Sequence, residues 1–254
     1  IATKAKLIYG GDLRKGGFTE FIFNEALILQ SRLNDDIQRI ENYIAYPIYN
    51  AKDDELVEWK AKYNKIALMH SVPPADDIAI SVDENEFIGF NTTHNKYIWS
   101  RSLTNMRNIM IDNCDVRICA GGRSSNYKGV MPGILEEILI AIEKNKPIFL
   151  LGGFGGITSD ICKLIKNNET PEHLTLNWQK KNNIGYEDLL EYYKERDVST
   201  YNYDSLKEQL SYEKLNNGLE KEENERLFVT PYIEEAIYLI MKGLKQIRGS
   251  KDNK

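Results

Sequence analysis

Short apolar runs alternate along the chain with segments of helical spacing, and this alternation defines the elements the sequence predicts. Residues 4 to 9 (Lys-Ala-Lys-Leu-Ile-Tyr) read as a short buried strand stopped by Gly10-Gly11, and Phe18 to Leu33 carries apolar residues at helical intervals. Asn42 to Tyr46, ahead of Pro47, predicts a second strand and Lys65 to Met69 a third. Residues 71 to 98, with Pro73-Pro74, scattered acids and the run Asn91 to Asn95, have loop composition and room for a lid. Ser100 to Asn113 is helical by pattern, with Leu103, Met106, Ile109 and Met110 on one side and Arg107 at the edge of that face. Asp115 to Cys119 is a strand running into Ala120-Gly121-Gly122, and a polar loop then leads to Pro132-Gly133 and the amphipathic helix Ile134 to Glu143. Pro147 to Leu151 is a buried strand ending at Gly152-Gly153, before Gly155-Gly156 and the helix Ile157 to Ile165.

Strands that alternate with helices pair in parallel, because a crossover between parallel neighbours needs a helix. The expected class is therefore α/β: a Rossmann-like open parallel sheet with helices on both faces. From about Asn167 the chain turns polar and rich in Tyr and Glu, with helical segments at Tyr186 to Glu195, Asp204 to Glu213, Glu220 to Phe228 and Thr230 to Ile247. Ile233, Ile237, Ile240, Met241 and Leu244 are helically spaced in the last and predict packing on the sheet. The expected organisation is a core over residues 1–166 and a helical extension over 167–254.

Composition narrows the chemistry. A net charge of −5 over 254 residues, with lysines and glutamates interspersed, gives no footprint for duplex nucleic acid, so any phosphate binding is local. Cys114, Cys119 and Cys162 lack CxxC spacing and His70, His94 and His173 are far apart, so neither a disulfide framework nor a metal site is expected; the expectation is a nucleotide-derived ligand and no resident cofactor. No apolar run approaches the roughly 18 residues of a membrane span, and the expected compartment is the cytoplasm. Ile1 stands in place of an initiating methionine close to a strand-like run, and the expectation is that something precedes it.

In an open parallel sheet the strand carboxyl ends share one edge, where ligands bind. Gly10-Gly11, Gly121-Gly122 and Gly152-Gly153 all fall there; glycine brings backbone amides close to a ligand, and helix starts offer N–H groups to an anion. Glycine also simply ends strands, but three such pairs favour a phosphate-bearing guest. Asp12, Arg14 and Lys15 place charge beside the first loop, while Thr19 and Glu20 have the character of caps. The segment Gly121 to Glu137 adds Arg123 and Lys128 as cationic donors, Ser124 and Ser125 hydroxyls, and a helix opened by Pro132-Gly133 with Glu136 and Glu137 in its first turns. One of these acids can be ordinary dipole compensation; the other would accept ribose hydroxyls, act as a general base, or stabilise an oxocarbenium-like transition state in N-glycosidic cleavage. Arg107 beside its apolar face either reaches the ligand or snorkels to solvent.

These motifs resemble the SLOG superfamily of Lonely Guy and DprA-like nucleotide-binding domains over roughly residues 5 to 165. LIYGGDLRKGGFTE is similar to that family's strand and glycine loop; MRNIMIDNCDVRICAGG followed by PGILEE resembles its arginine helix, strand and P-G-G-x-G-T-x-E-E motif. The resemblance implies Arg107 as catalytic arginine and Glu136 or Glu137 as catalytic glutamate. Asn108 stands where the family has lysine, Met106 and Met110 lie closer to Arg107 than the family's methionines, and Arg123 to Met131 replaces the compact phosphate loop. The family's first strand, loop and helix would precede Ile1. The longer loop with Arg123, Tyr127 and Lys128 suits a ligand larger than a nucleoside monophosphate, such as a dinucleotide or an NAD-derived cyclic nucleotide.

Divergent SLOG domains of this kind look like ligand-sensing modules joined to effector domains in bacterial antiphage defence, which implies a sensor, a fused or associated effector domain and a homo-oligomer. Its ligand-binding residues would be Gly10, Gly11, Asp12, Arg14, Arg107, Gly121, Gly122, Arg123, Lys128, Gly133, Glu136, Glu137, Gly152 and Gly153. The alternatives are a Lonely Guy-like N-glycosidase with Arg107 and Glu137 or Glu136 as catalytic residues, and a scaffold assembled through the helical carboxyl half.

Overall fold

The computed structural model describes residues 5–11, 15–33, 37–51, 53–79 and 88–252. The chain divides into two compact units, Ile1–Asn113 and Cys114–Lys254, so the helical segment beyond residue 166 falls in the same unit as the two strands before it.

The first unit runs β1 (Leu7–Gly10), α1 (Phe18–Leu33), β2 (Ile40–Ala45), α2 (Tyr46–Ala51), α3 (Asp53–Tyr63), β3 (Ala67–Val72) and α4 (Thr93–Asp112). Its sheet is parallel in the order β1-β2-β3, with Leu7 beside Ile40 and Ile40 beside Ala67. Successive side chains of a strand point to opposite faces. Tyr9, Ile40, Ile44 and Met69 accordingly share one face and pack with Phe23 and Ala26 of α1 and Leu56 and Tyr63 of α3. The Phe23 and Tyr63 rings meet edge to face, 4.8 Å between centroids. Gly10 points to the opposite face, where Met106 of α4 lies over it. Helices thus cover both faces.

Several boundaries differ from the pattern reading. Tyr46 opens α2 instead of closing the strand, with Pro47 in the first helical turn, where no N–H is needed. The stretch 71–98 is less irregular than its composition: β3 continues to Val72, and α4 begins at Thr93, capped by the Thr92 hydroxyl accepting from the Asn95 amide. Residues 80–87 lie outside the described residues. Asp77 takes a two-pronged Arg101 contact from α4, which ties down the segment just after β3.

The second unit runs β4 (Arg117–Ala120), α5 (Gly133–Glu143), β5 (Ile148–Leu151), α6 (Gly156–Asn167), α7 (Leu176–Asn182), α8 (Tyr186–Glu195), α9 (Leu206–Gln209), α10 (Tyr212–Leu215), α11 (Lys221–Val229) and α12 (Ile233–Asp252), with 3-10 turns at Gly152–Phe154, Glu172–Leu174 and Tyr203–Ser205. β4 and β5 pair in parallel, Arg117 beside Ile148 and Ala120 beside Leu151. The single helix expected over Asp204 to Glu213 is broken at Leu210-Ser211, which are extended. Leu206, Leu210 and Leu215 are all buried. At 100° per residue a continuous helix would carry Leu215 to the side opposite Leu206, so the break turns all three into the core.

The packing face of α12 is also rotated from expectation. Ala236, Leu239 and Ile240 are buried with Phe149 of β5 and Leu227 of α11, and Leu244 and Ile247 flank them, whereas Ile233, Ile237 and Met241 are exposed. The small residues decide this: a Cβ at Gly243 would lie 2.7 Å from the Phe149 ring, so only glycine there lets the helix settle on that ring. No helix among the described residues is long and apolar enough to cross a membrane.

Candidate functional site

In the first unit the glycine loop and the arginine helix come together. A Cβ at Gly10 would lie 2.8 Å from the Met106 methyl carbon, and one at Gly11 would lie 2.7 Å from both the Thr19 hydroxyl and the Tyr9 ring. Arg107 follows Met106 in mid-helix and is buried, between residues packed against the sheet, so it is held within the unit and does not snorkel to solvent. Glu20 accepts from the Gly16 amide at 2.7 Å, which is the capping role its position suggested. Asp12 and Arg14 lie outside the described residues. Sequence reasoning missed a polar group on the sheet: Glu41 accepts from Lys6 at 2.7 Å and lies 3.1 Å from His70, whose ring stacks on Tyr43. The Lys6 hydrogen bond holds the Glu41 carboxyl below its ordinary range, with His70 adding to the effect against the opposing pull of burial.

In the second unit the two glycine loops lock onto each other. Gly121 and Gly122 have φ of +64° and +92°, which turns their carbonyls toward the start of α6. The Ile157 N–H donates to the Gly122 carbonyl at 3.1 Å and the Thr158 N–H to the Gly121 carbonyl at 3.0 Å. The start of α6 therefore spends these amides on protein. Gly156 sits so close that an added Cβ would lie 2.4 Å from the Gly122 oxygen. Gly152 and Gly153 have a packing reason of their own: a Cβ would meet the backbone of Phe228 at 2.4 Å and of Thr230 at 2.1 Å. The Thr158 hydroxyl is fully buried and has no hydrogen-bond partner, a feature with no signal in the sequence.

The start of α5 differs from that of α6. Its N-cap is Pro132, which supplies no side-chain hydrogen bond, and the first closed backbone bond runs from the Glu136 N–H to the Pro132 carbonyl. Gly133, Ile134 and Leu135 accordingly keep N–H groups with no intrahelical acceptor. Arg123 and Lys128 are exposed in the loop leading to this turn. Glu136 and Glu137 face inward instead, 1% and 8% exposed. Glu137 forms an ion pair with Arg117, at the opposite end of β4 from the glycines. Sequence reasoning missed Arg117, which looked like an ordinary strand residue.

The helical extension fixes the loop from Ser124 to Val130. The Gln179 amide donates to the carbonyls of Ser124 and His173, and its oxygen accepts from the Tyr127 hydroxyl and from Asn183. All four of its hydrogen-bonding positions are thereby used. Asn183 also accepts from the Asn126 N–H at 2.8 Å, and the Tyr186 hydroxyl donates to the Val130 carbonyl at 2.6 Å. Burial pushes the phenols of Tyr127, Tyr186 and Tyr203 up, that of Tyr186 to about 12. The thiols of Cys119 and Cys162 are likewise raised by burial, which marks them as packing groups and not nucleophiles. A shallow groove of about 470 Å³ lies elsewhere in this unit, lined by Leu190, Tyr193, Lys194, Asp197 and Val198 among others.

Parallel strands alternating with helices, with glycine loops after the strands, define a Rossmann-like α/β protein. The SLOG cluster2 family model matches residues 1–227, and the chain belongs to that family of nucleotide-related Rossmann-like domains. The match runs past residue 165 and into α11, so the helices that brace the 124–130 loop are part of the family's domain. No curated protein and no solved structure matches the chain.

Proposed function

We propose that this chain is a sensor module that binds a nucleotide-derived small molecule of the NAD-related or cyclic-nucleotide class, with a phosphate at the start of α5. The observation that carries the reading is the contrast between the two helix starts: α6 gives its amides to the Gly121 and Gly122 carbonyls, while the first three N–H groups of α5 have no intrahelical acceptor, and Arg123 and Lys128 are exposed on the loop that leads to it. A helix N-terminus with adjacent cations favours phosphate through both the dipole and charge-assisted hydrogen bonds. Family membership supports the nucleotide class. Braced by Gln179, Asn183 and Tyr186, the loop has little conformational freedom left to lose on binding, which favours affinity. The ion pairing of Glu137 with Arg117 supports binding over turnover, since a paired carboxylate is a poor general base. Service in antiphage defence with an attached or associated effector belongs to the same proposal and rests on the resemblance.

Mass spectrometry of the purified protein incubated separately with AMP, NAD, ADP-ribose and cyclic ADP-ribose isomers tests it. Retained ligand without released base, weakened by Arg123→Ala and Lys128→Ala, is the expected result. Base release abolished by Glu137→Ala or Glu136→Ala would replace the sensor with a Lonely Guy-like N-glycosidase. Absence of saturable binding to any of the four would refute the reading.

A further inference from the structure

α12 has two faces, and only one is used within the chain. Its buried face, Ala236, Leu239, Ile240 and Gly243, rests on Phe149. On the opposite face Ile237, Tyr238 and Met241 are 55%, 60% and 46% exposed, with Ile233 also exposed at the amino end. Glu234 precedes this apolar centre and Lys245 and Arg248 follow it, all exposed. Residues 234, 238, 241 and 245 are spaced four, three and four apart, the a/d spacing of a helix-pairing seam.

We infer that this face pairs with a second copy of the same chain, helix α12 against helix α12 in antiparallel orientation about a two-fold axis. Reversed upon itself, the seam is self-complementary: Tyr238 meets Met241 of the second copy, and Glu234 meets Lys245, each contact occurring twice, as an isologous interface requires. A parallel arrangement would set Glu234 against Glu234 and Lys245 against Lys245. The charge order therefore selects both the partner and its direction. Glu235 and Lys242, the neighbouring charges on this helix, are already paired within the chain with Arg226 and Glu223, and do not compete. Val229 and Tyr232 just before the helix are also exposed and add apolar surface toward the roughly 800 Å² per partner of a stable interface. The inference stands apart from nucleotide binding and holds or fails without it.

Sedimentation equilibrium of the whole chain over a wide concentration range tests it. The expected result is a reversible dimer, shifted toward monomer by at least tenfold in dissociation constant by Met241→Glu, by Glu234→Lys and by Lys245→Glu. The double exchange Glu234→Lys with Lys245→Glu restores the dimer, because it reverses each pair without creating like charges. Circular dichroism melts at a concentration well below the wild-type dissociation constant, where every variant is monomeric, separate loss of association from loss of folding; there the exposed-face substitutions leave the melts unchanged. A monomer at all concentrations would overturn the inference, as would a dimer indifferent to Met241→Glu or a double exchange that fails to restore association.

Discussion

Replacing Gly156 by alanine tests whether the two glycine loops of the second unit hold each other. Two costs separate cleanly. Gly156 has φ of +63°, a conformation that costs an alanine about 1 kcal/mol. In addition its new Cβ would lie 2.4 Å from the Gly122 oxygen and 2.5 Å from the Gly121 carbonyl carbon, backbone atoms that no side-chain rotation can clear. Relief requires the loops to part, which lengthens the bonds from Ile157 and Thr158 to Gly122 and Gly121, worth about 1 kcal/mol each. The expected total is about 3 kcal/mol. Gly121 is the matched control: its φ is +64° but an added Cβ meets nothing within 4 Å, so Gly121→Ala costs only the conformational term, about 1 kcal/mol. Hydrogen–deuterium exchange of the α6 amino-terminal amides reads the difference directly, and about 2 kcal/mol corresponds to roughly 30-fold faster exchange in Gly156→Ala than in Gly121→Ala. Equal loss of protection in the two variants would refute the reasoning, since it would leave backbone conformation as the whole effect.

Other consequences follow from the same structure. Gln179→Ala removes the group that satisfies Ser124, His173, Tyr127 and Asn183 together, so residues 124–130 should exchange faster and bind nucleotide at least tenfold more weakly, with the apolar core left intact. Arg117→Met strands the buried Glu137 carboxylate and should cost about 3 kcal/mol in urea unfolding, most of it recovered in the double variant Arg117→Met with Glu137→Leu. Because Tyr186 has its folded-state phenol raised from 10.0 to about 12, the stability it contributes is complete below pH 10 and is lost as pH rises toward 12. Phenolate absorbance should therefore show a late alkaline step that coincides with unfolding. Glu41 has the opposite sign: its lowered carboxyl stabilises the first unit above pH 4.5 and that contribution fades as pH falls below it, visible as an acid-side drop in the melting temperature.

The strands and the helices following them were legible because burial imposes a period on the sequence; Phe18 to Leu33 and Tyr186 to Glu195 are helices over those same residues. Misreadings came where tertiary packing chose among faces that local pattern leaves equivalent. In α12 the small residues Ala236 and Gly243 set the buried face, against the larger isoleucines that hydropathy favours. The short α9 and α10 carry a break that only the common core of Leu206, Leu210 and Leu215 demands. The glycine pairs were visible, but what each glycine accommodates was not: Gly152 and Gly153 make room for a backbone some 75 residues further on, which no local window contains. Gln179 was invisible for a related reason, since it sits in the polar run Asn-Trp-Gln-Lys-Lys and its partners are 50 or more residues away except for its near neighbours His173 and Asn183.

The placement of charge decides how the candidate site should be approached. A phosphate needs donors that remain available, and the described second unit distributes its donors unevenly: the amides of Ile157 and Thr158 are consumed by the facing loop, and Arg117 is consumed by Glu137. At the start of α5 the first three N–H groups have no intrahelical acceptor, and Arg123 and Lys128 are exposed on the loop before it, whose shape is set by Gln179 and Asn183. Under the proposed reading this loop would cradle the anion while Glu137 stays paired with Arg117, the arrangement expected of a site that recognises a ligand and leaves its bonds intact. If turnover were the function, Glu137 would have to leave Arg117, and substitution of Arg117 would then raise the rate; in a sensor the same substitution changes only stability. The Arg117→Met variant, assayed for both base release and unfolding, therefore distinguishes the two functions in a single protein preparation.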